Sequence, residues 1–110
     1  MAEVIERIES AIRGNKITIF MKGTRSFPQC GFSAATVQIF EELDAPFGTV
    51  DVLEDQELRE TIKQYSNWPT IPQVYINGKF VGGCDIIREL YENGELAGMV
   101  KAALAEGAQP

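Results

Sequence analysis

The 110-residue chain has no histidine, two cysteines and one tryptophan. Without histidine, zinc sites built on imidazole are excluded, and two cysteines cannot complete an all-cysteine one. Cys30 and Cys84 are also too few for a disulfide framework, which points to a reducing compartment. Cations are scarce: 10 Lys and Arg stand against 16 Asp and Glu, for a net charge of −6. That balance argues against a phosphate-backbone binder, so no nucleic-acid partner is expected. No apolar run is long enough to cross a bilayer, so no membrane partner is expected either. The opening residues MAEVIERIESAI are acidic and amphipathic, unlike the basic-then-apolar start of a secretory leader.

The remaining sequence alternates between helical and strand periods. Val4, Ile5, Ile8, Ala11 and Ile12 recur at helical spacing, with Gly14 as a stop. KITIFM (16–21) reads as a strand buried on both faces. After the loop KGTRSFPQ, a helix is predicted from Gly31 to Leu43, ended by Asp44, Ala45 and Pro46. FGTVDVL (47–53) reads as a second strand, and Asp55 caps a third helix whose Leu58, Ile62 and Tyr65 share a face. QVYIN and KFVG flank Asn77-Gly78, a hairpin signal. Asp85 starts a helix through Tyr91, and a last helix carries Leu96, Met99, Val100, Ala103 and Leu104. The pattern predicts a single α/β domain over 1–110, with a four-stranded mixed sheet, about five helices and a frayed tail, AEGAQP. The first β-α-β unit is expected to be a right-handed parallel crossover. The reactive loop then lies just past the end of a strand, where α/β folds place ligands.

Cys30 lies in PQCGFSA, between a proline turn and a helix start. Unpaired N–H groups and the helix dipole favour an anion there, and Lys22 and Arg25 lie close in sequence. Both effects are expected to lower the thiol from its usual pKa of ~8.5. Arg59 and Lys63 are the other cations that stand out in the acidic chain. Three residues after Cys30, where a C-x-x-C pair has its second thiol, there is Ser33. A serine cannot displace a mixed disulfide, so an external thiol or Cys84 would have to do so.

MKGTRSFPQCGFSA, SNWPTIPQVYINGKFVGGCDI and the helix between them resemble the monothiol glutaredoxins of the CGFS type, over about residues 3–104. The resemblance implies a thioredoxin-like (glutaredoxin) fold and glutathione bound beside Cys30. It also implies a [2Fe–2S] cluster with Cys30 as its metal ligand. Lys22 and Arg59 would pair with the glycyl carboxylate of glutathione. Backbone groups of Thr70 and Ile71 would pair with the extended tripeptide, next to a cis Ile71–Pro72 bond. Gly83, Cys84 and Asp85 would begin the fourth helix, their N–H groups receiving the γ-glutamyl carboxylate and the Asp85 side chain its ammonium. Trp68 is either a ligand contact or an aromatic that packs the loop. A [2Fe–2S] cluster normally takes four thiolates. The resemblance implies that two chains supply Cys30 each and one glutathione each, and the ligand count supports this. Cys84 reads as a small residue near glutathione rather than a ligand, and a Cys30–Cys84 disulfide on oxidation stays open.

The expected function is therefore a glutathione-ligated homodimer that carries [2Fe–2S] clusters to apo acceptor proteins, with a BolA-like protein as a further partner. The alternative is a glutathione-dependent thiol–disulfide oxidoreductase with Cys30 as nucleophile. The expected location is a bacterial-type cytoplasm, or an organelle stroma or matrix if a transit peptide has been removed. Gly31 is read as the residue that lets two chains approach over the cluster.

Overall fold

Every residue of the apolar run KITIFM that enters β1 (Ile17–Met21) is buried, because both faces of that strand are covered. A computed structural model describes residues 2–106. In it, β2 (Gly48–Asp51) runs parallel to β1, with Thr18 opposite Gly48 and Met21 opposite Asp51. On the other side β3 (Gln73–Ile76) pairs antiparallel to β1, and β4 (Lys79–Gly82) antiparallel to β3. The sheet order is β2-β1-β3-β4. Asn77 and Gly78 turn the β3–β4 hairpin with φ of 52° and 81°, the left-handed conformations that an Asn-Gly turn supplies.

The period-2 alternation of β1 and β3 divides the interior in two. Ile17, Ile19, Met21, Val74 and Ile76 face one side. There they meet α2 (Gly31–Glu42), α4 (Cys84–Glu92) and α5 (Glu95–Glu106) through Val37, Phe40, Ile87, Leu96 and Val100. Phe20 and Tyr75 face the other side, where α1 (Ala2–Gly14) and α3 (Gln56–Ser66) bring Val4, Ile8, Ile12, Leu58 and Ile62. The Phe20 and Tyr75 rings meet edge to face at 5.5 Å. The expected thioredoxin-like sheet with five helices is present.

Three boundaries differ from the sequence reading. The second strand stops at Asp51 instead of running to residue 53. The Asp51 carboxylate accepts the Leu53 N–H at 2.9 Å and turns Val52–Glu54 into a 3-10 turn. Asp55 then caps α3, accepting from Glu57 N–H at 2.9 Å and Leu58 N–H at 3.3 Å. The fourth helix starts at Cys84 with Gly83 as N-cap, so Asp85 is its second residue and does not cap it. The tail expected to fray from Ala105 is helical to Glu106, and residues 107–110 lie outside the described residues. Among the described residues no helix is long and apolar enough to cross a membrane.

Candidate functional site

The loop from Lys22 to Cys30 folds back on itself before α2 begins. Gln29 N–H donates to Lys22 O at 2.9 Å, and Thr24 and Phe27 exchange backbone hydrogen bonds of 3.2 and 3.1 Å. Gly23 sits at φ 95° where this hairpin is tightest. A Cβ there would stand 2.6 Å from both Gln29 N and Phe27 O. The Gly23 N–H donates to Asp51 Oδ1 at 2.9 Å, which ties the loop to the end of β2.

Cys30 is the N-cap of α2, with extended backbone (φ −150°, ψ 136°), and is half-buried. Its thiol is held below the ordinary range, first by the Ser33 backbone N–H and then by that of Phe32. The Lys22 charge and the Ser33 hydroxyl add to this, while partial burial opposes it. These are the first orphan donors of a helix, as expected. Ser33 itself is fully buried, and its Oγ accepts the Lys22 N–H at 3.1 Å. With that lone pair occupied, its own proton is available to the Cys30 sulfur.

Arg25 corrects the sequence reading, which gave it a share in activating the thiol. Its Nε donates to Glu41 Oε2 at 3.1 Å and its guanidinium lies 3.9 Å from the Phe47 ring centroid. Nearness in sequence does not bring it to the sulfur: it pins the loop tip to the far end of α2. Gly31 opens the helix, and a Cβ added there would meet nothing within 4 Å, so no contact among the described residues demands glycine at that position.

A groove of about 480 Å³ opens beside Cys30. The residues expected at the glutathione site all line it: Lys22, Cys30, Arg59, Thr70, Ile71, Pro72, Gly83, Cys84 and Asp85. Phe32, Lys63, Trp68, Pro69 and Ile86 complete the wall. The Ile71–Pro72 bond is cis. Lys22 and Arg59 have no ion-pair partner among the described residues. Arg59 Nε and Trp68 Nε1 are buried donors with no hydrogen-bond partner among the described residues. Two such donors in one groove call for an acceptor that the protein itself does not provide. Trp68 also packs on Phe80 at 5.7 Å, so it both packs the loop and offers an N–H to the groove. A Cβ on Gly83 would lie 3.3 Å from Trp68 Nε1 and 3.2 Å from Pro72 O, so glycine keeps the floor low at the start of α4.

Cys84 is buried, and Arg88 Nη2 lies 3.6 Å from its sulfur. It forms part of the groove wall, while Cys30 is the more exposed thiol. Among the described residues no three Cys, Asp or Glu side chains converge on a common metal position. The donor set of one chain is thus one accessible sulfur.

Gln73 escaped the sequence reading. It is fully buried in β3, and its side-chain amide donates to Trp68 O at 3.1 Å and Thr70 O at 3.3 Å, shaping the groove's loop. The one available signal was a glutamine leading an apolar strand.

The family profile described as glutaredoxin matches residues 17–81. A Synechocystis protein, "Uncharacterized monothiol glutaredoxin ycf64-like", is 59% identical over 94% of this chain and 96% of its own length. "Monothiol glutaredoxin-S14, chloroplastic" of Arabidopsis thaliana is 50% identical over 90% of this chain and 57% of its own length. Among solved structures, reduced poplar apo GrxS14 superposes with a TM-score of 0.84 at 48% identity, covering 93% of this chain and 94% of that one.

Proposed function

The chain belongs to the glutaredoxin family, among its monothiol members, and from that membership we propose that it is a glutathione-binding carrier of [2Fe–2S] clusters in iron–sulfur cluster assembly and transfer. One observation carries the reading: an accessible, acidified thiol borders a groove with two unpaired cations and two buried donors that lack acceptors. Glutathione matches that chemistry. Its glycyl carboxylate suits Lys22 and Arg59, and its extended backbone suits Thr70 and Ile71 beside Pro72. Its γ-glutamyl carboxylate suits the N–H groups of Gly83, Cys84 and Asp85. The Asp85 side chain caps nothing on its own helix, which leaves it for the glutathione ammonium.

The cluster is cargo. Such clusters take four sulfur ligands, and one chain offers one accessible thiolate. Two copies, each giving Cys30 and each holding one glutathione thiolate, supply four. Apo iron–sulfur proteins are the acceptors, and a BolA-like protein is a further partner. The reading puts the protein in a bacterial-type cytoplasm or an organelle stroma or matrix, and a cyanobacterial and a chloroplast-named relative support it.

The same lowered thiol favours a second reading, a monothiol exchange. The Cys30 thiolate attacks the glutathione sulfur of a protein mixed disulfide, forms Cys30–S–S–glutathione and releases the protein thiolate. A second glutathione thiolate then attacks that sulfur, giving oxidised glutathione and free Cys30 thiolate. Ser33 cannot replace this second thiol.

Anaerobic reconstitution with iron, sulfide and glutathione, read by visible absorption and native mass, separates the two readings. A coloured dimer that needs glutathione and is lost in Cys30→Ser supports the carrier. A colourless monomer that still reduces glutathione mixed disulfides overturns it in favour of the exchange.

A further inference from the structure

Asp51 lies outside the groove, at the end of β2, yet it is bound to the loop that builds it. Its Oδ1 accepts two backbone hydrogen bonds, both of 2.9 Å, from Leu53 N–H and from Gly23 N–H. The first starts the 3-10 turn, and the second reaches across the sheet to the loop. Gly23 is buried, so its N–H has no water to fall back on. It also occupies the one loop position where a left-handed φ and two close backbone atoms leave no freedom to shift. Its neighbour Lys22 is held at both backbone groups, with its side chain free to face the groove. Lys22 O accepts the Gln29 N–H, Lys22 N–H donates to Ser33 Oγ, and its side chain lines the groove.

We propose that Asp51 is a positioning residue for the groove: through Gly23 it fixes Lys22, and through Lys22 and Ser33 it fixes the start of α2 where Cys30 stands. The role requires an oxygen acceptor at this place; the negative charge strengthens both bonds, and an amide oxygen can still accept them, more weakly. Asparagine at this position therefore keeps the device and alanine destroys it. The inference rests on the reading of the groove as a glutathione site only for its effect on ligand, because the anchoring itself is independent of any ligand.

Amide hydrogen exchange by NMR and calorimetric titration with reduced glutathione test it together, on the unaltered chain and on Asp51→Ala, Asp51→Asn and Asp55→Ala. In the unaltered protein the Gly23 amide is expected to be protected, and an unprotected Gly23 overturns the proposal without any variant. Asp51→Ala is expected to release the Gly23 and Lys22 amides and to weaken glutathione binding about three- to tenfold, the effect of losing part of one hydrogen-bonded anchor. Asp51→Asn is expected to restore most of both, since its amide oxygen accepts the same two bonds without the charge. Asp55→Ala removes the cap of α3 instead, and is expected to lower the melting temperature while leaving Gly23 protection in place. Unchanged affinity in Asp51→Ala, or failure of Asp51→Asn to restore most of it, overturns the proposal. If the unaltered protein binds no glutathione, the functional reading fails, and the exchange pattern still decides whether Asp51 anchors the loop.

Discussion

Ser33 takes a hydrogen bond from the Lys22 N–H and turns its own proton toward Cys30. A second thiol at that place would attack whatever is attached to the first; a hydroxyl stabilises the first thiolate and attacks nothing. The rate of Cys30 alkylation by iodoacetamide should therefore rise with pH at a midpoint below that of an ordinary thiol. Ser33→Ala should move the midpoint up, and a midpoint that does not move would refute the hydroxyl's part. The linkage has a definite sign. A folded-state thiol pKa below the unfolded one adds stability above the unfolded value, and this is lost as pH falls through the folded value. Blocking Cys30 should remove that portion of the pH dependence of the melting temperature.

At the scale of elements, the loop from Lys22 to Cys30 is built on one residue without a side chain. Gly23→Ala forces a Cβ into two backbone atoms at a left-handed φ, and should cost about 1–3 kcal/mol, measured by urea unfolding. A change below a few tenths would mean that the loop relaxes freely. Much of this architecture was legible in the sequence where local signals agree with the tertiary environment. KITIFM is apolar without alternation because both faces of β1 are covered, and Asn77-Gly78 accepts two positive φ values where most residues resist them. Legibility failed where one polar side chain decides. Val52 and Leu53 continue the apolar pattern of β2, but the Asp51 carboxylate takes the Leu53 N–H and ends the strand. Arg25 is near Cys30 in sequence, yet Glu41 and Phe47 hold it elsewhere, and only the fold sets that distance. The groove residues were identified through the resemblance. Ser33 was read only as a missing thiol, and Gln73 was not singled out, because buried hydrogen bonds to neighbouring backbone leave no periodic trace.

At the scale of the whole molecule, the two cores share the sheet, and Tyr75 packs in the one beneath α1 and α3 with its phenol pushed up to about 12 by burial. A raised folded-state value adds stability below the unfolded pKa of about 10, and this is lost as pH rises toward 12. The melting temperature should fall across that interval, and less steeply in Tyr75→Phe; an identical slope would show that other groups control alkaline unfolding. The proposed dimer has its own test in Gly31. Proline is well accepted at the first position of a helix, and the extended backbone of Cys30 suits a following proline. Gly31→Pro should thus fold normally but retain the cluster poorly, and unchanged retention and dimer mass would remove Gly31 from the account of close approach. The groove draws on segments from Lys22 to Ile86, and synthesis proceeds from the N-terminus. A chain still on the ribosome carries Cys30 before the residues that form the far wall have been joined, and before the docked start of α2 acidifies it. During that interval the sulfur is an ordinary, largely protonated thiol, so its reactivity and its selectivity are both acquired on folding.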